Sequence, residues 1–124
     1  MNNYVPLDVC SSYSTGDSIC QVPRLVRKAR EMGIPALALT DRNFMFGAAE
    51  FHAACHSRQI KFGGGFPPIK PIIGRSVAAT MNEKHYVIRL YAKNKTGYRN
   101  LVRISSAEVQ PQGAKERFIA FSDI

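Results

Sequence analysis

The stretch from Gly33 to Gly47 constrains this chain more than any other. A helical pattern stops at Gly33, and Pro35 bars its return. Ala36, Leu37, Ala38 and Leu39 then form a short apolar run bounded by polar residues. A run that short, without alternation, reads as a strand buried on both faces, as in parallel sheets. Thr40, Asp41 and Arg42 therefore stand at the carboxyl end of a buried strand. Open parallel sheets and barrels of parallel strands bind their ligands at that end.

The neighbouring elements follow from spacing. Val5, Leu7 and Val9 alternate and predict a first strand over 4–9, with Pro6 placing it near an edge or a strand start. A polar loop from Cys10 to Ser18 leaves from its carboxyl end. A helix is expected over Gln21–Met32. Val22, Leu25, Val26, Ala29 and Met32 share its apolar face, Pro23 sits in its first turn, and Arg24, Arg27, Lys28 and Arg30 face water. A second helix over Gly47–Ser57 carries the stripe Ala48, Phe51, Ala54 and Cys55. Residues 61–69 hold three glycines and two prolines and predict a flexible, irregular loop. No Lys-Ser/Thr follows the glycines, so they do not form a phosphate loop. Strands are expected over Lys70–Val77 and His85–Ala92. A third helix, capped by Asn94, runs to about Ser106, and a last short strand covers Phe118–Phe121. This order predicts an α/β domain with mainly parallel strands. Right-handed crossovers would gather Asp8, Cys10, Asp17, Asp41, Arg42 and Ser76 at one rim.

Size and charge narrow the function classes. The 124 residues fit one domain. Seventeen basic residues against nine acidic ones leave a net charge of +8, which suits a polyanionic partner. No basic helix is concentrated enough to name a reader of a nucleic-acid groove. The three cysteines lack close-spaced partners, which argues against a disulfide scaffold or a zinc finger and suits a reducing cytoplasm. No stretch approaches the roughly 20 apolar residues that cross a bilayer. Met1 to Tyr4 lack the basic start of a signal peptide, so a cytoplasmic location is expected. His52 and His56 can share a helix face, but the intervening Glu and the third ligand of a zincin-like site are missing.

Ala36 to Asp41, Asn43, Met45 to Ala48 and Glu50-Phe51 resemble the PHP (polymerase and histidinol phosphatase) domain nearly residue for residue. The resemblance is closest to the version at the start of bacterial replicative DNA polymerase III alpha subunits. Lys70 to Gly74, Ala92 to Asn94, Gly97-Tyr98 and Asn100-Leu101 match as well, as do Ser11, Tyr13, Ser14 and Asp17. The resemblance covers nearly the whole chain, with Phe62–Ile69 as an insertion. It implies a distorted TIM-like barrel of about seven strand–helix units. Active members hold a metal cluster at the carboxyl rim, which activates water against phosphate esters.

The resemblance also implies a degenerate metal site. The family's His-x-His falls on Asp8 and Cys10, and Asp17 matches a ligand position. The histidine of Thr-Asp-His falls on Arg42, a glutamate on Ser76, and a strand histidine on Val87, with His85 two residues earlier on the same face. Arginine is permanently charged and coordinates no cation. Arg42, set among Asp8, Asp17 and Asp41, is expected to replace the lost ions electrostatically. Asp8, Cys10, Asp17, Asp41, Arg42, Ser76 and Val87 thus mark a vestigial metal site with no catalytic residue, and no metal or other cofactor is expected.

On this resemblance the chain is an N-terminal PHP segment of a replicative polymerase subunit, itself a non-catalytic scaffold. Its implied partners are the rest of the alpha subunit, a proofreading exonuclease subunit and, indirectly, DNA. The parent would be a DNA-directed DNA polymerase, a nucleotidyltransferase of DNA replication. One alternative is a metal-dependent phosphoesterase or 3′–5′ exonuclease using Asp8, Cys10, Asp17 and Asp41 with zinc or manganese. Another is a standalone module whose basic face contacts DNA. Four or five strands cannot close such a barrel. The single domain over 1–124 is therefore expected to be incomplete, with an open edge that further chain or a second copy covers.

Overall fold

The apolar run after Pro35 is strand β1 (Ala36–Leu39), with all four residues buried. It belongs to a computed structural model that describes residues 3–14, 16–59, 65–114 and 116–124. Before β1 comes helix α1 (Val22–Glu31), whose Val22, Val26 and Ala29 are buried. Gly33, at φ 69°, ends it with two backbone bonds, Gly33 N to Arg30 O at 3.1 Å and Ile34 N to Ala29 O at 3.0 Å. That left-handed turn is open to glycine without strain. Helix α2 (Ala48–His56) buries the expected stripe Ala48, Phe51, Ala54 and Cys55.

Strand β2 (Lys70–Met81) is four residues longer than its expected span over 70–77, and β3 (Lys84–Tyr91) returns from it directly. Asn82 and Glu83, at φ 50° and 62°, make the two-residue turn. Two positive φ values in sequence give a hairpin turn whose twist matches the strands. Helix α3 (Lys95–Ala107) starts where expected, with Asn94 Oδ1 accepting from Gly97 N at 2.9 Å. Strand β4 (Ile119–Ala120) is only two residues, and Phe121 to Asp123 wind into a 3-10 turn.

The sheet is mixed. β1 and β4 both pair with β2 in parallel, whereas the long β2–β3 ladder is antiparallel. The expectation of mainly parallel pairing therefore fails for the longest ladder, because a two-residue turn can join only antiparallel strands. The first segment is corrected too. Residues 4–9 run beside β1, with Ala38 N to Pro6 O at 3.0 Å and Thr40 N to Val9 O at 2.9 Å, but form no assigned strand. Pro6 has no N–H to give, and Val9 N donates to the Thr40 hydroxyl instead at 3.2 Å.

The sheet curls without closing. Tyr91 of β3 donates its hydroxyl to Leu7 O at 2.6 Å, and Arg89 meets Asp8 at 2.7 Å, although β1 and β2 lie between these segments in the sheet. The outer edge of β3 carries no strand among the described residues. One core packs α1 and α2 on Leu37 and Leu39, and a smaller one gathers Val77, Ile104 and Ile119.

One further expectation changes. Arg30 is not on the wet face of α1 but 2% exposed. Its guanidinium donates to Ala54 O, Ser57 O and Phe66 O at 3.3, 2.6 and 2.8 Å. It therefore adds a donor to the carbonyls at the end of α2, where Ala54 O also accepts from Ser57 N, and ties down the next segment. The expected flexible loop over 62–69 lies outside the described residues at 62–64, but its last residue, Ile69, is buried in the larger core.

Candidate functional site

Three elements meet at the carboxyl tip of β1. Asp41 is 4% exposed and its carboxylate accepts three hydrogen bonds. Oδ1 accepts from Ser11 N at 2.6 Å and from Ser14 Oγ at 2.8 Å, and Oδ2 from Ser11 Oγ at 2.7 Å. The tight turn at Gly47 brings α2 in close: a Cβ there would lie 2.8 Å from the Tyr13 ring and 3.3 Å from Asp41 Oδ2. Thr40 ties the neighbouring segments together. Its hydroxyl donates to Asp8 Oδ1 at 3.2 Å, and its carbonyl accepts from Ser76 Oγ at 2.9 Å. Cys10 Sγ lies 3.8 Å from the same carbonyl, and burial raises its thiol pKa.

Arg42 continues β1 past its end. Its backbone bridges to Ser76 of β2, and its amide donates to Ser14 Oγ at 2.9 Å. Its guanidinium is half-buried between two carboxylates, with Nε 3.6 Å from Asp17 and Nη1 3.3 Å from Glu116. Asp8 has its own cation in Arg89, whose hydrogen bond holds the Asp8 carboxyl below its ordinary value. Arg42, Ser76 and Val87 line one small cavity of about 10 Å³, room for about one water. Arg75, which also lines it, forms a buried ion pair with Glu108 at 2.5 Å, with Arg117 3.7 Å from the same carboxylate. Arg75 Nε and Nη1 have no hydrogen-bond partner among the described residues.

All seven expected positions thus come together. Asp8, Cys10 and Ser76 converge on Thr40, Asp17 lies against Arg42, and Val87 shares the cavity of Arg42 and Ser76. His85 does not join them; its ring packs on Phe118 at 4.7 Å. Sequence reasoning missed Arg89, Glu116 and the Arg75–Glu108 pair. Arg75, a charge inside an otherwise buried strand, was the one readable signal, since such a residue is rarely buried without a partner. The partners lie far along the chain and leave no local pattern.

The metal cluster implied by the family does not fit this donor set. Arg42 coordinates nothing, Asp41 is occupied by three donors, and Asp8 and Asp17 each face a guanidinium. Among the described residues, no three His, Cys, Asp or Glu side chains form a group able to hold a metal ion.

The model described as the PHP domain matches residues 7–122. The chain is 35% identical over 121 residues to DNA polymerase III subunit alpha of Halalkalibacterium halodurans, covering 97% of the chain and 10% of that protein. It is 38% identical over 107 residues to the Bacillus subtilis subunit of that name, covering 84% of the chain and 9% of the relative. The Treponema pallidum subunit is 40% identical over 107 residues, again at 84% and 9%. The chain thus spans about a tenth of the length of these curated relatives. No helix among the described residues is long and apolar enough to cross a membrane.

Proposed function

This chain belongs to the PHP domain family, and from that premise we propose that it is the N-terminal PHP segment of a replicative DNA polymerase III alpha subunit, acting in the cytoplasm as a non-catalytic scaffold. The observation that carries the scaffold reading is the fate of the rim carboxylates. Asp41 is held by serine donors, Asp8 by Arg89, and Asp17 and Glu116 by Arg42. Arg42 occupies the place of a metal with a fixed positive charge, so the vestigial site keeps its electrostatics and loses its chemistry.

The rest of the alpha subunit packs against the scaffold, and a proofreading exonuclease subunit docks on it. Nucleotidyl transfer belongs to later parts of such a subunit, where carboxylates hold two metals. The test is phosphate-ester hydrolysis by the chain with manganese or zinc added. No turnover above the buffer rate is expected. Metal-dependent turnover abolished by Asp8→Asn or Asp17→Asn would overturn the scaffold reading in favour of a phosphoesterase.

A further inference from the structure

A groove of about 640 Å³ lies between α2 and the start of α3. Pro71 and Ile73 of β2 and the small side chains of Ala48 and Ala92 give it an apolar floor. Its walls carry the charges of Lys70 from β2 and of Lys93 and Lys95 on either side of the Asn94 cap, beside His52 and His56 from α2. No aspartate or glutamate is among its described lining residues. The N-terminus of α3 adds partial positive charge. Two flat surfaces accompany these charges. Tyr98 is 40% exposed in the groove wall. The His52 and His56 rings pack 4.4 Å apart, the latter fixed by a 2.9 Å bond to His52 O.

We propose that this groove binds a single strand of DNA. Lysines beside exposed rings, over an apolar floor, match a strand whose phosphates and unpaired bases are both available. A duplex keeps its base faces stacked away from such rings. An acidic peptide would use the lysines and leave the ring faces without a counterpart. This inference goes beyond the scaffold reading and does not rest on it.

The test is fluorescence anisotropy with a labelled thymidine oligonucleotide of about 12 nucleotides. Lys70→Gln/Lys93→Gln/Lys95→Gln is expected to weaken binding by about tenfold or more and to lower the salt slope by about two. Tyr98→Ala weakens it by about fivefold through lost stacking. All four side chains are exposed, so the variants are expected to fold, and circular dichroism checks that they do. Arg24→Gln/Lys28→Gln/Arg103→Gln removes equal charge from exposed positions outside the groove and is expected to leave binding unchanged. Equal loss in both triple variants would reduce the effect to net charge and overturn the proposal. Tighter binding of a matched duplex, equal competition by polyglutamate, or no binding at low salt would overturn it as well.

Discussion

Asp41 accepts three hydrogen bonds, from Ser11 N, Ser11 Oγ and Ser14 Oγ, which a metal ion at this carboxylate would have to compete with. Its job here is structural: it closes the first loop onto the end of β1. Asp41→Asn turns an acceptor edge into a donor facing those same groups. It is expected to cost about 2 kcal/mol in urea unfolding. A change within about 0.5 kcal/mol would show that the serine contacts contribute little. Much of this was legible in the sequence. A buried apolar run followed by Thr40, Asp41 and Arg42 pointed to the cluster at the tip of β1, where Asp41 and Arg42 do stand. The charge partners Arg89 and Glu116 were not legible, because only the curl of the sheet and the path of the tail bring them close.

Helices and turns were easier to read than strands. Amphipathic spacing, Gly33 and the Asn94 cap fixed the three helices to within about two residues. The β2–β3 hairpin was harder. Ala78 and Ala79 are weak strand formers, and Asn82-Glu83 lacks the glycine that usually announces such a turn. Arg30 was misplaced because spacing alone puts a charged residue in water. Its actual surroundings are carbonyls at the end of α2. Arg30→Met keeps the buried stem but removes the donor to Ser57 O and Phe66 O, and is expected to cost about 3 kcal/mol. Arg30→Lys recovers part of that loss, since one ammonium cannot reach as the fork does. Thermal unfolding of both variants checks this, and a stability loss below about 1 kcal/mol for the Met variant would refute the capping role.

At the scale of the molecule, a curled four-stranded sheet stops short of a barrel and leaves the outer edge of β3 without a strand among the described residues. An exposed edge recruits strands, from further chain or from a second copy. Sedimentation velocity is expected to show association of the chain that grows with concentration. A strict monomer at high concentration would mean that the edge is protected as it stands. The same curl carries Arg89 to Asp8 and the tail's Glu116 to Arg42, so the architecture itself delivers the ion pairs on which the proposed scaffold reading rests. Manganese titration followed by paramagnetic broadening of backbone amide signals tests this most directly. The amides of Ser11, Asp41 and Arg42 are expected to keep their intensity at submillimolar manganese. Saturable, selective loss of those three signals would mean that the rim still holds an ion and that the arginines have not taken its place.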